Sequence, residues 1–407
     1  MSDNTRSVAP TGHHLPALDG LRGVAILLVF LTHAVALPLE PVTAVDAAIR
    51  SVTRLGWTGV DLFFVLSGFL ITGILLDTKG QPRWWLNFAA RRGLRIFPLY
   101  YGALVFLFIL LPHLTHWSDP AYATLRANQA WYWTYTVNFL SAASHGSGTP
   151  LNTGHFWSLS IEEQYYLIWP LIVARCGPRV LLRVAVLSGI AGLLFRLAIV
   201  LHDPSNAVAT FVLTPGRLDG LMTGGALAVL ARAPDGLASL QKGAVAVLWV
   251  GCSVLGALSV WRGGLTYQDP VVAVTAYPVI ALVFGSLLVV ALSSAPGSVV
   301  ARVLSSASLR SWGKYSYGLY LIHYPVLGAL ESKWQGYRHG VAALDGSPLP
   351  GVLLLAAVAA VASYALARLS YGVYESRFLD LKRYFDRRPR AAPPPPLARA
   401  PQSALSR

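Results

Sequence analysis

The chain has 407 residues, 55% of them hydrophobic and only 12% charged, with a mean hydropathy of +0.53. Soluble globular proteins carry about 25% charged residues, so this composition excludes a string of ordinary soluble domains and points to one membrane-embedded unit. The net charge of +14 does not signal nucleic acid, because the cations sit in short loops between apolar runs, as on a cytoplasmic membrane face.

A bilayer-crossing helix needs about 20 largely apolar residues. That window predicts an all-α integral membrane protein of about ten transmembrane helices, at 18–38, 59–76, 96–116, 156–176, 181–201, 211–231, 244–261, 271–292, 315–333 and 351–374. The first run has no cleavage-site context and reads as a retained span. Pro170, Pro215, Pro278 and Pro325 fall in or near spans, which membrane helices tolerate. Segments 1–17 and 381–407 flank the membrane unit, and the second is basic, Pro-rich and expected to be disordered. Cys176 and Cys252 lie far apart, at or within apolar segments, so neither a disulfide framework nor a metal site is expected.

Loop charge sets the orientation. With a cytoplasmic N-terminus, inner loops hold thirteen Lys and Arg, Lys79 and Arg91 among them, against six in the outer loops, such as Arg50 and Arg262. Lys382, Arg383, Arg387, Arg388 and Arg390 add to the inner side, so both termini are expected in the cytoplasm and the protein in a cell membrane. The longest loop, 117–155, then faces outward. Its run Trp131-Tyr132-Trp133-Thr134-Tyr135 suits an interfacial or re-entrant segment, either as an aromatic belt or as a substrate platform.

Ionisable groups within spans are expensive and mark function. The first span carries Asp19, Arg22 and His33. At 100° per residue all three return to about the same helix face. Arg22 can be a snorkelling anchor at the inner end. His33, on the order of 16 Å deeper at 1.5 Å per residue, is either a packing histidine or a base acting near neutral pH. Asp61 opens the second span and Glu162 lies one turn into the fourth. Either carboxylate can orient His33 and raise its basicity, or cap the positive end of its own helix. Arg91, Arg92 and Arg95 cluster at the third span's inner entrance. They satisfy the positive-inside rule, and guanidinium is also suited to phosphate. Arg217 with Asp219 in the sixth span and His323 in the ninth can each be structural.

Six segments together resemble the membrane acyltransferase-3 family. Arg22 and His33 match its Arg, ten residues and His. Residues 59–71, GVDLFFVLSGFLI, are similar to its second motif, and 91–98, RRGLRIFP, to its third. His155–Tyr165 with Ser160 and Glu162, Arg217–Gly224 with Asp219, and Ser316–Pro325 with Tyr320 and His323 follow in the family's order. The resemblance covers roughly 14–380. It implies acyl transfer, often acetyl, from a coenzyme A thioester to hydroxyls of sugars, surface glycans or secondary metabolites. It implies His33 as catalytic centre, a functional Glu162, and Arg22 and Arg91–Arg95 on the donor side. Acyl-CoA is then a co-substrate, with no bound cofactor or metal. The Pro-rich end resembles stand-alone members, which include enzymes acylating macrolides. A transporter relaying protons through Asp61, His33 and His323 is the rival reading, and a scaffold with structural polar groups the third.

Overall fold

The computed structural model describes residues 15–115, 120–341 and 346–385, without side chains at 114–115 and 333–341. The 1–14 segment, the tail from 386 with its Arg387, Arg388 and Arg390, and the side chains of Lys333 and Arg338 lie outside the described residues. All regular structure among the described residues is helical. The longer helices are α1 (Pro16–Leu31), α2 (Ala44–Arg54), α3 (Gly59–Thr78), α4 (Trp84–Val105), α5 (Phe156–Arg175) and α6 (Pro178–His202). They continue with α7 (Leu218–Leu230), α8 (Gln241–Arg262), α9 (Pro270–Ser293), α10 (Ala307–Lys314), α11 (Ser316–Val341) and α12 (Leu349–Ser370).

Seven helical stretches among the described residues are long and apolar enough to cross a membrane. The other three expected spans are also helical, for identifiable reasons less plainly so. Helix α5 carries Glu162, Glu163 and Arg175, which lower its hydropathy. The sixth expected span is broken at Pro215 into Ala207–Val212, a 3-10 turn at Thr214–Arg217 and the short α7. The ninth lies within α11. The protein is thus an all-α, multi-pass membrane protein.

Loops expected on one side do gather at one end. Arg54 donates to Thr266 and Trp57 to the Leu265 carbonyl, while Ser347 donates to Asp46. At the other, basic end Arg232 pairs with Asp77, Lys79 donates to the carbonyls of Val173 and Cys176, and Arg91 reaches the Lys382 carbonyl.

Helices α1 and α3 form the centre. Helix α3 crosses α7 so closely that a Cβ on Gly68 would lie 1.9 Å from the Leu221 carbonyl oxygen, and one on Gly224 2.0 Å from that of Val65. Small residues at such crossings let backbones touch and gain dispersion contact that lipid cannot supply. Helices α6 and α8 stand at the rim, with Trp249 and Val260 of α8 exposed, as lipid-facing surface should be. The aromatic run does not form a simple exposed belt. Tyr132 is fully buried and bonds Thr153 at 2.8 Å, and Tyr135 stacks on Tyr100 of α4 at 4.0 Å.

Candidate active site

Helix α1 does not end at Leu31; it opens into a π-helical turn, Thr32–Ala36. Such turns are uncommon and frequent at functional sites. This one presents His33 to α11, where its ring stacks on Tyr324 at 4.1 Å. His33 Nδ1 lies 2.9 Å from His323 Nε2, and His323 Nδ1 lies 2.9 Å from the Leu319 carbonyl oxygen. A carbonyl only accepts, so His323 Nδ1 carries a proton. In the neutral ring its Nε2 is then the acceptor, and His33 Nδ1–H donates to it. His33 Nε2 is left with its lone pair and with no hydrogen bond among the described residues. A third imidazole, His155, packs 5.6 Å from His323; its Nδ1 donates to the Asn152 carbonyl at 3.1 Å, and its buried Nε2 has no hydrogen-bond partner among the described residues.

None of the three histidines lines the cavities that open beside Arg22, but the Tyr320 ring packs against His155 and His323. Tyr320 Oη is 2.5 Å from Ser158 Oγ and donates to the His155 carbonyl at 3.0 Å. Tyr320 and Ser158 also help line a cavity of about 90 Å³. Arg22, Arg92, Arg95 and Glu162 also line it. Glu162 accepts from the Ser67 hydroxyl, which in turn accepts from Tyr166 at 3.3 Å; the Arg92 guanidinium lies 5.9 Å from the Tyr166 ring centroid. A second cavity of about 190 Å³, lined by Arg22, Arg91, Arg92 and Arg95, adjoins at the basic end. Three guanidiniums against one carboxylate in the inner cavity make a place for an anionic or strongly polarised group.

These contacts change the expected partnerships. Neither Asp61 nor Glu162 is hydrogen-bonded to His33; the neighbour that orients it is His323. Asp61 is taken by Arg217 at 2.9 Å. The Arg217 guanidinium is surrounded by the rings of Phe64, Trp157, Phe211 and Tyr277, 4.5–5.5 Å away. Asp219 pairs not with Arg217 but with Arg196 of α6, at 2.5 Å. The reason is geometric: the break before α7 turns Arg217 towards α3 while Asp219 faces α6. Ser160 is buried and its hydroxyl turns back to the Phe156 carbonyl. Asp19 pairs with Arg22 at 3.7 Å. Arg91 donates to the carbonyls of Lys382 and Phe385, tying α4 to the last described turn.

Sequence reasoning passed over Ser67, Ser158, Tyr166 and Arg196. Arg196 alone was recoverable, as an ionisable residue in the middle of an apolar run. The hydroxyls carry no signal in a single sequence.

The family profile described as an acyltransferase domain matches residues 15–368. The chain is 29% identical over 348 residues to the peptidoglycan O-acetyltransferase OatA of Listeria monocytogenes, covering 77% of this chain and 49% of that protein. It is 30% identical to the O-acetyltransferase OatA of Staphylococcus aureus, covering 78% of this chain and 51% of that one. To the putative peptidoglycan O-acetyltransferase YrhL of Bacillus subtilis it is also 30% identical, over 78% and 49% of the two chains. The chain thus spans about half the length of the curated relatives it matches. No solved structure matches. With the profile spanning nearly the whole membrane unit, the chain belongs to the membrane acyltransferase-3 family.

Proposed function

We propose that this protein is a membrane O-acyltransferase that moves an acetyl or other short acyl group from a coenzyme A thioester to a hydroxyl of a glycan. The observation that carries the reading is the 2.9 Å contact of His33 Nδ1 with His323 Nε2, whose Nδ1 lies 2.9 Å from the Leu319 carbonyl oxygen; it assigns the His33 proton to Nδ1 and leaves Nε2 to take one. The acceptor hydroxyl gives its proton to Nε2 while its oxygen attacks the thioester carbonyl. The new C–O bond forms, the C–S bond breaks, and the departing thiolate recovers the proton from the His33 imidazolium. General-base assistance of this kind contributes typically 10²–10⁴-fold.

Arg22, Arg92 and Arg95 would hold the donor at the basic end, which the positive-inside rule makes cytoplasmic. Glu162, fixed by Ser67, would face the thioester portion. The acyl group would reach His33 past Tyr320, which lines the cavity and packs against His155 and His323. The relatives' names make a peptidoglycan-type glycan the first acceptor to try, with a macrolide as the alternative hydroxyl.

The test is thiol release by the purified full chain in nanodiscs, supplied with radiolabelled acetyl-CoA and either muropeptides or a macrolide. We expect acceptor-dependent release of free thiol and label in the acceptor. No thioester consumption with any acceptor, together with proton-coupled uptake in proteoliposomes, would replace the enzyme by the transporter.

A further inference from the structure

The largest of the three cavities that meet at Arg22 and Arg95, at about 680 Å³, is not the one beside the Arg91–Arg95 cluster. It lies between α1, α10, α11 and the turn Tyr371–Glu375. Resting on the coenzyme A reading above, we propose that this cavity seats the nucleotide end of the donor, with Arg310 and Lys314 as its phosphate-binding residues.

Size separates the cavities first. Small-molecule sites run to about 300–1,000 Å³. The cavities of about 90 and 190 Å³ suit a narrow acyl-pantetheine arm and not a phosphorylated adenosine. Continuity comes next: Arg22 and Arg95 line all three spaces, and Tyr317 lines both the innermost and the largest. A ligand seated in the largest can therefore pass its arm by these residues towards Glu162.

The charge also fits. Arg22, Arg95, Arg310 and Lys314 face the cavity, against the carboxylates of Asp19 and Glu375. Asp19 is already engaged by Arg22, and Glu375 accepts from Ser370 at 3.1 Å. The Arg310 Nε is buried and has no hydrogen-bond partner among the described residues, a state that costs free energy until an acceptor arrives. Lys314 follows at i+4, so both side chains lie on one face of α10. Its ammonium rests 5.2 Å from the Tyr315 ring centroid and 4.9 Å from that of Tyr371, which holds it at the cavity.

Helix α10 is itself fixed in place. A Cβ on Gly313 would stand 1.8 Å from the Asp19 carbonyl oxygen, so α10 lies directly on α1 beside Arg22. By contrast Arg91 is occupied with the carbonyls of Lys382 and Phe385.

The experiment compares donors in the intact protein. Wild type, Lys314→Gln, Arg310→Gln and Arg92→Ala are assayed with acetyl-CoA, acetyl-3′-dephospho-CoA and S-acetyl-pantetheine. Each lost charge-assisted contact should weaken acetyl-CoA binding roughly tenfold. Turnover of S-acetyl-pantetheine by Lys314→Gln and Arg310→Gln should stay within about twofold of wild type. Lys314 is exposed, so its variant reports even if Arg310→Gln folds poorly. Unchanged acetyl-CoA affinity in Lys314→Gln and in folded Arg310→Gln, with a loss in Arg92→Ala, overturns this seat and leaves the donor reading standing. Wild type that binds no acetyl-CoA at all overturns both.

Discussion

At the scale of residues the site turns on one imidazole held by another. His33→Ala should leave the protein folded and inserted, since the residue lies at the end of α1 and only partly buried, while acyl transfer falls by about 10²–10⁴-fold. His323→Ala removes the acceptor that holds the proton on His33 Nδ1, so either nitrogen can carry it. Losing a partner that fixes a histidine tautomer costs on the order of 10–100-fold, and it should appear in kcat with donor KM unchanged. His323→Gln, whose amide oxygen can accept the same hydrogen bond, should recover part of the loss. Equal kcat in wild type and His323→Ala would remove the tautomer argument. Both histidines stand out in the sequence as ionisable groups inside apolar runs. Their contact does not, because 290 positions separate them and no pattern in the chain links α1 to α11.

At the scale of elements, close packing carries the prediction. Helix α3 bears Asp61 and Ser67, and its depth against α7 depends on Gly68 and Gly224. Alanine at either position meets backbone carbonyls at about 2 Å, so the helices must separate. Overpacking of this kind costs roughly 1–3 kcal/mol, and a lowered midpoint in detergent thermal unfolding should report it; an unchanged midpoint in Gly68→Ala would contradict the crossing.

A second element-level contact responds to acid. Asp46 caps α2 through the backbone N–H groups of Val42 and Thr43, and accepts 2.6 Å from Ser347 just ahead of α12. The Ser347 hydroxyl, with these backbone donors, holds the Asp46 carboxyl down at about 2, below its ordinary 3.8. A depressed carboxyl stabilises the fold fully above its unfolded value, and that contribution is lost as pH falls through the folded one. Stability should therefore drop between about pH 4 and 2, and Asp46→Asn should flatten that part of the pH profile. The Thr43–Asp46 capping box was present in the sequence as a T-x-x-acid pattern; its link to Ser347, 301 residues away, was not.

For the whole molecule, loop charge sets which end faces the cytoplasm. The basic end gathers Lys79, Arg91, Arg232 and Lys382. Reporter fusions in the loop at Lys79 and after Asp380 should read cytoplasm, and one near Ser144 the exterior; a cytoplasmic Ser144 would invert the donor and acceptor sides.

Composition and hydropathy alone determined an all-α membrane bundle, because a bilayer demands long apolar helices whatever their neighbours. The same logic made Arg22, His33, Asp61, Glu162 and His323 conspicuous, since each must justify burial in apolar surroundings. The tertiary structure decided which groups meet. Asp61 went to Arg217, Asp219 to Arg196, and Glu162 to Ser67, leaving His33 to His323. Those choices depend on helix crossings set by glycines and on the breaks at Thr32–Ala36 and Pro215. They are long-range packing events, and periodicity along one helix cannot specify the rotation of the next.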